Sequence, residues 1–180
     1  AESLLSDDIF NKKVNLQKLK QSTYDEDFQS YSALFSPALK AYCLAATEND
    51  DAADYFSGIL FDRFLKQFAS EGIKKENDSR FFDYRYLIVA YTIPAILERK
   101  APGAEALADS FLAKWNAHYP KNPLGKATYE SIESGFRQKL CFITTAVCSS
   151  LGKEDNCTEL NTLRAFRDGW LSETSEGQAK

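Results

Sequence analysis

A chain of 180 residues, 44% hydrophobic and 27% charged, is long enough for one domain with its own core and excludes wholesale disorder. A net charge of −4 and a pI of about 5.2 speak against nucleic acid or an anionic membrane as the main partner. The longest apolar run, residues 86–97, is too short to span a bilayer and is broken by Thr92 and Pro94.

No secretory apolar region opens the chain, and four cysteines do not make a disulfide scaffold, so a reducing cytoplasm is the expected compartment. The sequence contains no methionine, and a leader cleaved ahead of Ala1 stays compatible with it.

Residues 1–23 are polar with scattered Leu4, Leu5, Ile9 and Val14. They read as an arm over the core, with a short helix at 16–21. Residues 25–35 are helical in spacing, with Phe28, Tyr31, Leu34 and Phe35 on one side. Ser36-Pro37 then reads as a cap and a first helical proline, opening a second helix or a kinked extension over 37–47 that carries Cys43. Residues 51–71 repeat Tyr55, Phe56, Ile59, Leu60, Phe64 and Phe68 at three and four, with Gly72 placed to end the helix. Asp78 or Ser79 caps the next helix, 80–99, which Pro94 should kink after about Ala90. Residues 104–118 form a helix with Leu107, Phe111, Leu112 and Trp115 inside, followed by a rigid loop over 119–125.

The last third organises the rest. Tyr129, Ile132, Phe136 and Leu140 keep helical spacing into Cys141-Phe142-Ile143, so one long helix is expected over 127–151. On its wheel Cys141, Thr144, Thr145 and Cys148 share a face, and Phe136, Leu140, Ile143 and Val147 share the neighbouring one. A helix apolar or small nearly all round is a buried helix. A second helix begins near Asp155 or Asn156, with Leu160, Leu163, Trp170 and Leu171 as its stripe. Arg167 falls in the middle of that stripe; Arg164 and Asp168 are four apart and within pairing reach.

Cys141-Phe142-Ile143, Thr145-Ala146, Leu163-Arg164, Phe166-Arg167-Asp168 and Leu171 together resemble the CFI-box C-terminal domain, found at the end of otherwise unrelated bacterial and archaeal proteins. That family's usual pattern has alanine where Thr144 stands, and tyrosine-glycine where this chain has Val147-Cys148. Cys148, Gly152-Lys153, Asp155 and Cys157 look like a subgroup. The family has no settled biochemical role, so the resemblance implies little about function.

Four clusters invite chemistry. The face of Cys141, Thr144, Thr145 and Cys148 is a candidate thiol site, against the favoured reading of small groups admitting a close helix. Cys157 is the best reactive thiol by its place in a helix's first turn, although Glu154, Asp155 and Glu159 oppose thiolate formation. Arg164, Arg167 and Asp168 could hold an anion, but an arginine in an apolar stripe is more often a clamp. His118 is the only histidine and reads as an exposed helix end; with no close cysteine pair, zinc is not expected. Leu124 to Glu130 is not a phosphate loop, since Pro120 stands where a glycine is needed and Ala127 follows the lysine, and Asn77-Asp78-Ser79 and Asn156-Cys157-Thr158 read as helix caps rather than glycan acceptors.

The expected architecture is all-α: one domain over 24–172 of about seven helices, the C-terminal pair of 140–171 in its core, and a frayed tail at 173–180. The expected role is a binding or regulatory module for a protein or peptide, with no cofactor, no metal and no catalytic set. The alternatives are a thiol-dependent enzyme or redox sensor using Cys141, Cys148 or Cys157, and an anion or peptide pocket at Arg164 and Arg167. If Arg167 meets a buried carboxylate, Arg167→Ala should destabilise the chain by about 3–5 kcal/mol in denaturant unfolding. An unchanged unfolding midpoint refutes the clamp.

Overall fold

The computed structural model describes residues 4–11 and 21–137. They form six helices and no strand: α1 (Asp7–Asn11), α2 (Gln21–Ala46), α3 (Ala52–Ser70), α4, α5 (Ala104–His118) and α6 (Tyr129–Arg137). Helix α4 is composite, running α-helical over Ser79–Leu87, π-helical over Ile88–Thr92 and α-helical again over Ile93–Leu97. The all-α expectation holds for these residues. Of the expected short helix at 16–21 only Gln21 is described, as the first residue of α2; the C-terminal pair at 140–171 lies outside the described residues.

About seven helices are expected for the chain and six are found among the described residues: those expected over 25–35 and 37–47 are one, and α1 is a helix the sequence reading did not place. Ser36-Pro37 does not begin a helix; α2 runs through it for 26 residues. A proline inside a helix costs about 3 kcal/mol. Here Tyr31 and Phe35 before it, and Leu39 and Tyr42 after it, are all buried on one continuous face. Each such side chain contributes about 1.5–3 kcal/mol on burial, so four of them outweigh the proline. Leu34, expected inside with Phe28, Tyr31 and Phe35, is exposed, because it sits about 100° round from Phe35 and off that face.

Of the expected arm only residues 4–11 are described before α2: Leu5 is buried just ahead of α1, and Ile9 and Phe10 are buried within it. Phe10 meets Phe64 edge-on at 4.9 Å, and Arg63 covers the outer side of the Phe10 ring while pairing with Asp7. Helices α3 and α5 form the central layer, joined across by Phe61, Phe64 and Phe68 against Phe111 and Trp115. Ser57 and Ser110 share a 2.8 Å hydrogen bond at the same contact, which satisfies the buried Ser57 hydroxyl. Tyr55, expected on the inner stripe of α3, is exposed instead, whereas Phe56, Leu60, Phe64 and Phe68 are buried.

Several expected punctuation marks are in place. Gly72 is left-handed at φ 70°, and the Ile73 amide reaches back to the Phe68 carbonyl at 2.9 Å, closing α3. Asp78 caps α4 by accepting from the Arg80 amide at 3.0 Å. Helix α6 starts two residues later than expected, where Thr128 and Ser131 cap each other reciprocally at 3.0 and 3.1 Å. The 119–125 loop is pinned by the Trp115 indole, which donates to the Asn122 carbonyl at 3.0 Å, and by Asn116, which bonds both polar groups of Leu124.

Pro94 perturbs α4 after Ala90 as expected, but by a π turn. The Ile93 amide bonds the Ile88 carbonyl, one residue farther back than in an α-helix. Pro94 cannot donate to the Ala90 carbonyl. That carbonyl instead accepts the Tyr24 hydroxyl of α2 at 2.7 Å, fully inside the protein. One turn on, the Tyr31 and Thr92 hydroxyls share a hydrogen bond of 2.8 Å.

Tyr24→Phe should therefore leave a buried carbonyl unpaired and cost about 1–3 kcal/mol in chemical denaturation. In a Pro94→Ala background a backbone donor is restored, so the same substitution should cost less, a coupling of at least about 0.5 kcal/mol. Additive costs would show that the tyrosine does not replace the missing amide.

Candidate functional site

The buried face of α2 packs on α4, and its opposite shoulder is left open. Phe28, Tyr31, Phe35, Leu39 and Tyr42 face the core. Next to them a second stripe, Ser32, Ala33, Ser36, Cys43 and Leu44, walls a groove of about 830 Å³. The other wall comes from Ala95, Arg99, Ala101 and Pro102, where α4 ends and the chain turns toward α5. The volume lies in the range of sites that hold a bound group.

The turn explains why the groove exists. After Leu97 the chain bends through Lys100 at φ 48° and Gly103 at φ 83°. Gly103 is required twice over: its φ is left-handed, and a Cβ there would sit 2.8 Å from the Tyr42 hydroxyl. That hydroxyl donates to the Gly103 carbonyl at 2.7 Å, tying the far end of α2 to the turn. Helix α4 thus stops short while α2 continues, and the step between them is the groove.

The groove is apolar with a basic edge. Arg99 donates to the Ser36 hydroxyl at 3.0 Å, bridging the walls; Lys40 and Glu98 stand at the rim. Leu44 is 73% exposed, the most exposed large apolar side chain described. Cys43 is half-buried, carries no disulfide and lines the same groove. Pro37 also removes the donor that the Ala33 carbonyl would have in an unbroken helix, and Ala33 lies on the groove wall.

Beside the groove lies a cluster of phenols. Tyr24 stacks on Tyr129 at 5.8 Å, Tyr91 meets Tyr24 at 5.5 Å and Tyr31 at 5.6 Å, and Tyr129 packs on Phe28 at 4.8 Å. Burial raises the pKa of Tyr24, Tyr31 and Tyr91 well above the ordinary value. The Tyr129 hydroxyl donates to the Asp25 carboxylate at 2.6 Å, and that bond, with some burial, pushes it up to about 12.

Every site residue singled out in the sequence lies outside the described residues: Cys141, Thr144, Thr145, Cys148, Cys157, Arg164, Arg167 and Asp168. His118 ends α5, exposed as expected, with its ring against Phe61 and Tyr119. Among the described residues no three histidine, cysteine, aspartate or glutamate side chains gather as metal ligands would. None of their helices is long and apolar enough to cross a membrane. The groove was missed in the sequence, although its signal was there: small residues recur three and four apart from Gln29 to Thr47, beside the aromatic stripe.

No protein-family model, curated protein or solved structure matches the chain. The likeness to the CFI-box family therefore rests on the residues quoted for it and on nothing further.

The phenol cluster makes the fold sensitive to alkali. Phenols ordinarily lose their protons near pH 10. Because the folded values are raised, the stability they contribute is complete below about pH 10 and is lost as pH climbs through the folded values, Tyr129 first. Melting temperature should fall steadily above pH 10, and Tyr31→Phe should make the fall shallower. A flat profile to pH 12 would contradict the raised values.

Proposed function

We propose that this chain is a helical binding module, and that the groove between α2 and the end of α4 accepts an amphipathic helix. What supports this reading is a single observation: α2 has two lipophilic faces, and only one of them is covered by the helices described. Ser32, Ala33 and Ser36 would let another backbone come close, as helix pairs with small contact residues do. Leu44, Ala95 and Pro102 supply apolar contact, and Lys40 and Arg99 favour an occupant with an acidic flank.

The thiol-enzyme and anion-pocket readings stay as alternatives that rest on residues 141–168. Cys43 is the one thiol among the described residues of the groove, and no histidine lines it there to make a Cys-His pair. A binding role for the groove needs no such pair.

Methyl-labelled protein tests the reading. Nuclear Overhauser contacts from Ala33, Leu44 and Ala95 methyls should reach apolar protons that belong to none of residues 21–137. Methyls that see only water and their own helices would end it. Leu44→Glu should cost about 1–3 kcal/mol of unfolding free energy if the groove is filled. On an empty groove the same exposed substitution should stay within about 0.5 kcal/mol.

A further inference from the structure

We infer that Phe82 and Arg85, near the start of α4, form a second docking point, which takes an acidic peptide: a glutamate or aspartate side chain on the Arg85 guanidinium and an apolar neighbour on the Phe82 ring. The inference is independent of the groove, which lies at the other end of α4, against Ala95 and Arg99.

The guanidinium is the first argument. Arg85 is half-buried, and its Nε is shut off from solvent with no hydrogen-bond partner. Its Nη2 reaches only the Pro123 carbonyl, at a long 3.4 Å. Arg63, Arg80 and Arg99 each meet a side-chain oxygen, from Asp7, Asp78 and Ser36. Arg85 meets none among the described residues. Glu76 acts on it from beyond ion-pair distance, and the Glu76 carboxylate accepts from the Asn122 amide instead. Burial pulls the Arg85 pKa below the ordinary guanidinium value. A cation taken out of water without a counter-ion is costly. A partner's carboxylate, gripped by two N–H groups of the planar fork, offsets that cost.

The ring is the second argument. Phe82 is 45% exposed, although Phe81, Tyr84 and Tyr86 near it are buried. It stands three residues before Arg85 on the same side of the helix, with the guanidinium 5.9 Å from its centroid. An exposed aromatic beside an arginine has the composition of an interface anchor. The third argument is the surroundings. Lys74 and Lys75 are exposed on the loop before α4, and Lys121 on the loop after α5; the Asn122–Glu76 bond ties the two loops together. None of these lysines pairs with an acid among the described residues, and their charge favours an acid-rich partner. The Pro123 carbonyl beside Arg85 is an acceptor that suits a peptide N–H, whereas a carboxylate by itself has no donor for it.

Titration of the full-length, 15N-labelled chain tests the inference. The probes are acetyl-Phe-Glu-Glu-amide, acetyl-Phe-Gln-Gln-amide, N-acetylphenylalanine and inorganic phosphate. The acidic peptide should shift the Arg85 Nε–H and Phe82 amide resonances saturably, and bind at least about tenfold more tightly than the glutamine peptide. Arg85→Met and Phe82→Ser should each weaken it by at least about tenfold. Arg85→Met should melt no lower than the unaltered chain, because it removes a half-buried charge that has no counter-ion. No saturable shift, equal binding of the two peptides, shifts confined to Ala33, Leu44 and Ala95, or undiminished binding to Arg85→Met overturn the inference. Phosphate or N-acetylphenylalanine binding as tightly as the acidic peptide also overturns it, since a bare oxyanion or a chain terminus then suffices. A lower melting temperature in Arg85→Met makes Arg85 a structural clamp, and that too overturns the docking point. The groove reading is decided separately, by its own methyl contacts.

Discussion

The fold hangs on one exchange of hydrogen-bond donors. Pro94 withdraws an amide from the interior of α4, and Tyr24 supplies a hydroxyl to the Ala90 carbonyl in its place. A buried carbonyl without a partner would cost about 1–3 kcal/mol, a sizeable part of any domain's stability. The π turn at Ile88–Thr92 offers that carbonyl to α2, and the Tyr31–Thr92 bond repeats the connection one turn on. These two bonds fix both the height and the rotation of α2 against α4.

Rotation is what makes the surface. With Tyr24, Tyr31, Phe35 and Tyr42 turned inward, the residues about 100° away have to face outward. Those are the small and apolar residues of the groove stripe. Tyr42 and Gly103 then anchor the far end, where α4 has already stopped. The groove is thus a consequence of a proline, a glycine and three tyrosines, none of which belongs to its lining.

A long α2 that packs with one face and leaves a second apolar stripe uncovered is half of a helix pair. Helix α6 starts beside that stripe, where Tyr129 packs on Phe28 and Glu130 pairs with Lys100.

Much of the fold was legible because it is local. The aromatic repeat of α3, the Gly72 stop, the Asp78 cap and the inner face of α5 depend on residues within a turn or two of one another, and helical periodicity reads such relations directly. The misreadings arose where distant groups decide. Pro37 reads as a boundary until Tyr31, Phe35, Leu39 and Tyr42 are seen to share one buried face. Pro94 reads as a kink until a hydroxyl 66 residues away in the chain takes up the carbonyl it strands. The sequence by itself determined that this is a helical protein, where most helices start and stop, and which aromatics are inside. Only the tertiary structure decided which side of α2 is left uncovered, because that depends on two hydrogen bonds between helices, and no periodicity within either helix encodes them.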